Sequence, residues 1–287
     1  MLDSISVIIP TLGESTLEDT LSVLSPQLLD RDEIIVVGAF SKNMIPLFPD
    51  VRFVFTPTRV SAAMARNIGM QTAKNYIFLF TDSDCIPNQN WISEHRFYQS
   101  QNKKIVGGGV EFPKSNFWSF SDNLSMFHEF SIHEIHSKKH RLASCNLSVH
   151  QSVFKDVGGF DESFSKSGGE DSDWTLRMSQ KGYELYFYPR VSIKHIAHRT
   201  NLKKVFNHWF QSGKNNVRVR KKFTEEYKHP SWIYSSISLI SLSPLIALIA
   251  TLNIFRRKNN LRYWYTLPGI YLTKLFYCWG AATKTAN

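Results

Sequence analysis

Tyr76-Ile77-Phe78-Leu79-Phe80-Thr81-Asp82-Ser83-Asp84-Cys85 is the stretch on which the fold turns. Its first five residues form a compact apolar run, and the turn residues behind it mark the end of a buried strand. Asp82 and Asp84 stand at i and i+2 directly after that strand, so both carboxylates can point into one cleft. Hard divalent cations such as Mg2+ and Mn2+ take oxygen ligands and leave other positions to phosphates, which makes this a candidate metal–diphosphate site. The alternative is an Asp-Ser-Asp turn that caps the helix starting near Asn90, since Asp and Ser are ordinary turn residues. Placement straight after an apolar strand favours the cleft.

Upstream the same punctuation repeats. Residues 5–9, 34–37 and 51–55 are short apolar runs, the first ended by Pro10. Leu17, Leu21 and Leu24 recur at helical spacing, and residues 61–73 are rich in Ala, Met and Gln, which suits a helix. Strand, helix, strand in repetition predicts an α/β fold, a mostly parallel sheet with helices on both faces. Ligands of such sheets bind beyond the carboxyl ends of the strands. The polar residues after Ile9, Val37 and Phe80 are therefore the first candidates. There is no internal repeat and no low-complexity linker.

Downstream, Ser167-Gly168-Gly169-Glu170-Asp171-Ser172-Asp173-Trp174-Thr175-Leu176-Arg177 gathers three carboxylates behind two glycines, at the start of a helix expected to run through Gln180. A carboxylate in a partly closed cleft can serve as general base. Acidic residues in a first turn also simply complement the helix dipole. That accounts for Asp173, but less well for the double glycine, which implies close backbone approach or a mobile loop. His195 and His198 close the segment 191–198. An imidazole is an acceptable third ligand beside two carboxylates, and a lone His is more often structural. No P-loop, Rossmann fingerprint, Gly-x-Ser-x-Gly elbow or His-Glu-x-x-His helix occurs.

In this order the residues resemble the large family 2 of nucleotide-sugar glycosyltransferases, which have the GT-A fold. The similarity covers roughly residues 4–200. Ser6-Val7-Ile8-Ile9-Pro10-Thr11 is similar to the family's first strand and its Pro-Thr turn, and Glu14 falls where that turn carries a nucleotide-binding Glu. Ala65-Arg66-Asn67 matches the Ala-Arg-Asn helix, whose basic residue lies near the nucleotide. Asp82-Ser83-Asp84 stands at the Asp-x-Asp motif, followed by the usual Pro87 and Trp91. Val157-Gly158-Gly159-Phe160-Asp161-Glu162 is another habitual stretch. Gly169-Glu170-Asp171 corresponds to the Glu-Asp motif, and His195 to a late His that completes the metal site.

The resemblance implies an inverting, metal-dependent transfer of a sugar from a nucleotide-diphosphate donor to an acceptor hydroxyl. Pro10, Thr11, Glu14, Arg66, Asp82 and Ser83 would hold the donor. Asp82, Asp84 and His195 would hold Mn2+ or Mg2+, and Asp171, with Glu170 beside it, would be the catalytic base. Two departures bear on the base of the donor. Gly38-Ala39-Phe40-Ser41 stands where the family ends its second strand with Asp-Asp-Gly-Ser, and Leu12-Gly13 replaces Tyr-Asn. The missing Asp keeps a catalytically inactive, glycosyltransferase-like binding protein in view. A sugar-1-phosphate nucleotidyltransferase would share sheet and metal, but residues 12–19 lack its Gly-rich basic loop.

The 287 residues are 43% apolar and 20% charged, which excludes a disordered, collagen-like or polytopic membrane chain. Lys and Arg number 34 against 24 Asp and Glu, a net charge of +10 that favours polyanionic partners. The basic residues cluster late instead of interleaving with stacking aromatics, so nucleic acid is not the expected partner. Cys85, Cys145 and Cys278 form no framework, which predicts a reducing compartment. The N-terminal segment has no basic region and too short an apolar run for a signal peptide, so folding is expected to start in the cytosol.

After Lys228 the composition changes. Residues 231–255 carry no Asp, Glu, Lys, Arg or His and are long enough to cross a hydrocarbon core of roughly 30 Å. Arg256-Arg257-Lys258 follows, then an aromatic-rich apolar stretch over 263–282 broken by Pro268, Gly269 and Lys274. Trp232, Tyr234, Tyr263, Trp264 and Tyr265 sit near the segment ends, as a membrane interface favours. The competing reading is a pair of buried core helices. Arg256, Arg257, Lys258 and Arg262 between two spans oppose the positive-inside tendency, so a segment dipping into the cytoplasmic leaflet of the plasma membrane is favoured. Lys214, Arg218, Arg220, Lys221 and Lys222 would help hold it on anionic lipid. The expected organisation is a catalytic domain over 1–200, basic connecting helices over 201–230 and C-terminal apolar, membrane-associated helices over 231–287. The acceptor expected of such an enzyme is a glycan, in particular a lipid-linked saccharide or glycolipid precursor. Residues 117–140 are either an acceptor lid or packing, with Phe127, Phe130 and His133 at helical spacing.

Overall fold

The computed structural model describes residues 3–285 except Ser41, Lys114, Ser167, Ala197, His229 and Pro230. Of the positions singled out above, Ser41, Ser167 and the side chain of Trp232 lie outside the described residues.

The short apolar runs are strands. They are β1 (Ile5–Thr11), β2 (Glu33–Gly38), β3 (Val51–Phe55), β4 (Ile77–Thr81), β5 (Cys85–Pro87), β6 (Ile105–Glu111), β7 (Ser137–Lys139), β8 (Asn146–His150) and β9 (Leu185–His195). They pair in one sheet of order β3-β2-β1-β4-β8-β6-β9-β5, with β7 added on β9. β3, β2, β1 and β4 are mutually parallel, as the alternation of runs and helices predicts. β8 runs antiparallel to both β4 and β6, while β6 and β9 are parallel, so the sheet as a whole is mixed. β1 is buried along its whole length, the pattern of a strand covered on both faces.

The helices are α1 (Leu17–Leu24), α2 (Ala62–Thr72), α3 (Trp91–Ser100), α4 (Phe117–Phe127), α5 (Gln151–Val157), α6 (Glu170–Gln180), α7 (Leu202–Lys222), α8 (Thr224–Tyr227), α9 (Ser236–Ser241), α10 (Ser243–Phe255) and α11 (Leu267–Thr285). Leu17, Leu21 and Leu24 are the buried stripe of α1. The Ser61 hydroxyl accepts from the Met64 N–H and starts α2 as an N-cap. A Cβ on Gly69 would come within 2.4 Å of the Ile8 side chain, so glycine lets α2 lie close on β1.

The chain divides into two compact units. One comprises Met1–Glu111, Phe130–Ser165 and Glu170–Ile196, and the other Phe112–Glu129, Lys166–Gly169 and Ala197–Asn287. Neither unit is one continuous stretch, and two inner stretches before residue 200 belong to the second. Helix α4 is one of them. It ends at Phe127, so the spacing that extends to His133 is not that of one helix. Phe127 and Phe130 are both buried.

In the second unit, α7 and α11 approach backbone to backbone. A Cβ on Gly213 would lie 2.0 Å from the Tyr277 carbonyl oxygen, and one on Gly280 would lie 1.8 Å from that of Phe210. Asp122 of α4 is fully buried and accepts from Arg199 and from the Trp209 indole N–H at 2.7 Å. Burial pushes its carboxyl up, but Arg199, His208 and these hydrogen bonds outweigh it, so Asp122 is held below the usual carboxylate range. Arg220, expected to help hold the segment on anionic lipid, instead donates to the Tyr277 hydroxyl and lies over the Tyr227 ring.

The expectation of one apolar segment over residues 231–255 is corrected by the structure. The segment is cut into the 3-10 turn Ser231–Tyr234, α9 and α10, with the break at Leu242. Pro244 has no N–H to continue a helix and instead sits in the first turn of a new one. The 13 residues of α10 rise about 20 Å, short of a bilayer core. Among the described residues no helix is long and apolar enough to cross a membrane. Pro268 and Gly269 likewise mark a break in the last stretch, between the 3-10 stretch Lys258–Thr266 and α11. They lie in the first turn of α11, where a Cβ on Gly269 would come within 2.4 Å of the Ser121 hydroxyl oxygen.

Candidate active site

The turn after β4 is tight and pinned from two sides. The Cys85 N–H donates to the Asp82 carbonyl at 3.1 Å, and the Thr20 hydroxyl of α1 reaches the carbonyls of Ser83 and Cys85. On one side of this turn lies Glu14. Its Oε2 accepts from the Thr11 hydroxyl at 2.9 Å, the Leu12 N–H at 3.0 Å and the Ser83 hydroxyl at 2.8 Å. Burial pushes the Glu14 carboxyl up, and these donated hydrogen bonds bring it below its ordinary value. The structure thus brings Thr11, Glu14 and Ser83 together at the carboxyl ends of β1 and β4. Pro10 lies inside β1, paired with Val37.

Asp84 and His195 meet on the other side. His195 ends β9 and stands opposite Cys85 in the antiparallel β5–β9 pair. The Ile196 N–H donates to the Asp84 carbonyl at 2.8 Å, which fixes the two backbones together. Asp84 Oδ2 and His195 Nε2 are 3.6 Å apart. His198 is exposed and outside this cluster.

Asp82 is turned toward Arg66. The guanidinium donates to Asp82 Oδ1 at 2.6 Å and to Glu170 Oε1 at 3.3 Å, and lies over the Phe160 ring at 5.5 Å. Burial opposes the positive charge of Arg66, and Asp82, Glu170 and Asp171 together overcome it, so its pKa lies above the ordinary value. Burial raises the Asp82 carboxyl, with the Asp84 charge adding to it against the pull of Arg66. Arg66 Nε is buried without a hydrogen-bond partner among the described residues. Glu170 is buried and Asp171 half-buried in the first turn of α6, where the Asp171 carboxylate accepts from the Ser172 N–H at 2.7 Å.

The remaining predicted residues are scaffold. Asn67 donates to the Phe160 carbonyl and Glu162, and accepts from the Phe160 N–H. A Cβ on Gly159 would collide with Asn67 at 2.5 Å, so that stretch is built around one amide. Asp173 pairs with Arg177 one turn on at 2.8 Å, the plain helix chemistry its position suggested. The sequence reading missed Cys85 and Cys145 as neighbours of this site. The two thiols lie side by side next to Asp82, and burial pushes Cys85 well up, so it is held neutral. Only the position of Cys85 directly after Asp84 hinted at this.

Gly38 explains the departure at the end of β2. Its φ is +142°, and a Cβ would lie 2.0 Å from the Thr11 carbonyl oxygen, so no larger residue fits. Phe40 then packs on Phe53 and Phe55.

Comparison with known proteins places this arrangement. The model for glycosyl transferase family 2 matches residues 6–158, and one described as the N-terminal domain of galactosyltransferase matches residues 124–201. The chain is 26% identical over 230 residues to glycosyltransferase AglE of Haloferax volcanii, across 76% of this chain and 74% of that protein. It is also 26% identical over 237 residues to probable N-acetylgalactosaminyltransferase 6 of Caenorhabditis elegans, of which it spans only 38%. Among solved structures, GalNAc-T7 with UDP, GalNAc and Mn2+ superposes with a TM-score of 0.62 at 20% identity, over 83% of this chain and 51% of that one. Mannosyltransferase PcManGT from Pyrobaculum calidifontis, in complex with GDP-Man and Mn2+, gives 0.62 at 17% identity, over 100% and 88%. These likenesses establish the GT-A type of fold. Because its family model spans more than half of the sequence, the chain belongs to glycosyl transferase family 2 and is a glycosyltransferase.

Proposed function

We propose that the protein transfers a sugar from a nucleotide-diphosphate donor to an acceptor hydroxyl with inversion at the anomeric carbon. The observation that carries this reading is the convergence of Asp82, Glu170 and Asp171, from remote segments, around the buried guanidinium of Arg66, with Asp84 and His195 beside it. Asp171 is assigned the acceptor proton, because it is half-buried and stands at the amino end of α6. Arg66 holds Asp82 and Glu170 in place, and its unused N–H groups are suited to an anionic oxygen of the donor. Thr11, Glu14 and Ser83 are assigned to the nucleoside end.

Two carboxylates and an imidazole are a donor set that fits Mn2+, and with it Mg2+. Asp84 and His195 would hold the ion, with Asp82 completing the set. When bound, it supplies charge that stabilises the departing diphosphate. The solved relatives' UDP and GDP-Man make both bases candidates, and Gly38 in place of the family's Asp leaves the base to other contacts.

The test is Asp171→Asn assayed with a panel of UDP-, GDP- and dTDP-sugars in the presence of Mn2+. It is expected to bind donor as the parent does and to lose transfer by about 100-fold or more. Near-parental turnover would overturn the base assignment. Absence of metal-dependent donor hydrolysis in the parent across the panel would favour the inactive binding protein instead.

The acceptor is assigned to the lipid-linked saccharides or glycolipid precursors, met at the cytoplasmic face of the plasma membrane. The support is chemical. Residues 227–287 contain no Asp or Glu, and the end of α7 is basic.

A further inference from the structure

Helix α10 is built inside out. Its inward face carries Ser243, Ala247 and Thr251, with Ile254 and Phe255 only at the end, while Leu245, Leu248, Ile249 and Leu252 are exposed. Those four stand at i, i+3, i+4 and i+7 and form one stripe. A helix that meets water has the reverse arrangement, small and polar residues outward and leucines inward. Ile237 of α9 is 82% exposed, and Trp264, in the 3-10 stretch Lys258–Thr266, is 72% exposed. Scattered exposed apolar residues need no explanation, but a concentrated set marks an interaction surface.

The charges beside it identify the occupant. Arg256, Lys258 and Arg262 are exposed directly after α10, and no side-chain carboxylate follows Glu226. We propose that α9, α10 and the stretch Lys258–Thr266 dock in the plane of an anionic lipid leaflet. The leucine stripe enters the acyl boundary, Trp264 sits at the interface, and the arginines and lysine meet the headgroups. A second copy of this chain is disfavoured, because a self-complementary contact brings the same uncompensated cations together. The inference deepens the assignment to the cytoplasmic leaflet and does not require the acceptor to be lipid-linked.

The test uses the full chain in flotation with vesicles of phosphatidylcholine alone and of mixed phosphatidylcholine and phosphatidylglycerol. Flotation with the mixed vesicles is expected, with a blue shift of Trp emission that Trp264→Phe removes. Leu245→Ser/Leu248→Ser/Leu252→Ser is expected to weaken vesicle binding at least about tenfold, since each leucine loses its transfer free energy. The substituted side chains are exposed, so the melting temperature and donor hydrolysis should stay unchanged. Equal flotation of the triple variant, or none of the parent with mixed vesicles, would overturn the proposal. So would a lipid-free dimer that the triple variant abolishes, which would assign the stripe to a second copy. Failure of donor hydrolysis with flotation intact would sink the transfer reading and leave this one standing.

Discussion

Arg66→Met tests whether one guanidinium holds the two acidic motifs together. Methionine keeps most of the stem volume over Phe160 and removes the charge. The two partners then respond differently. The Asp82 side chain is 30% exposed and recovers water, whereas that of Glu170 is only 8% exposed and does not. The cost therefore falls chiefly on Glu170, which stays buried and loses the Arg66 charge. Breaking a buried ion pair from one side costs about 3–5 kcal/mol, a large share of the roughly 5–15 kcal/mol that stabilises a typical domain. Urea unfolding of the parent, Arg66→Met, Glu170→Gln and the double variant closes a thermodynamic cycle. The double variant should recover about 1–3 kcal/mol relative to the sum of the singles. An Arg66→Met loss below about 1 kcal/mol, or strict additivity, would refute the clamp.

His195→Ala should weaken Mn2+ binding at least about tenfold in calorimetric titration with UDP present, and an unchanged affinity would remove His195 from the metal set. His95 is fully buried between Asn146 and Ser148, and burial lowers its pKa from 6.5 to about 4. The unfolded chain binds the extra proton first, so this contribution is complete above pH 6.5 and is lost as pH falls toward 4, in total about 3 kcal/mol. In His95→Gln the slope of stability over that window should flatten correspondingly. Gly280→Ala should cost about 1–3 kcal/mol or more by forcing α7 and α11 apart, whereas Gly182→Ala, with nothing within 4 Å of its Cβ, should cost only backbone strain of about 1–2 kcal/mol. Thermal unfolding of the two variants compares them directly.

The parts of the fold legible in the sequence are those decided by neighbours along the chain. Ile77, Phe78, Leu79 and Phe80 are apolar because β4 is covered on both faces, and the carboxylates follow because a strand end is where polar groups reach a cleft. The Ser61 cap and the acidic first turn of α6 are likewise local. Arg66 could be suspected from its tripeptide, but its partners lie 16 and 104 residues away, and periodicity carries no record of such pairings. The antiparallel insertion of β8 was hidden for the same reason, since a five-residue stretch has no direction and only Leu147 and Val149 in it are apolar. Residues 231–255 misled because composition was read without Pro244. Ser243, Ala247 and Thr251 also face inward, so in α10 it is the small and polar residues that pack.

The polypeptide passes between its two compact units five times. A fragment stopped near residue 200 would retain α4 yet strip Asp122 of the Trp209 indole, and Phe120 and Leu124 of their neighbours Ile254 and Ile270. The helical portion is thus no detachable appendage, and recombination could not have grafted it onto a finished enzyme by joining ends. Sugar transfer and whatever the C-terminal helices recognise must have been inherited as one indivisible block, each constraining how far the other could drift.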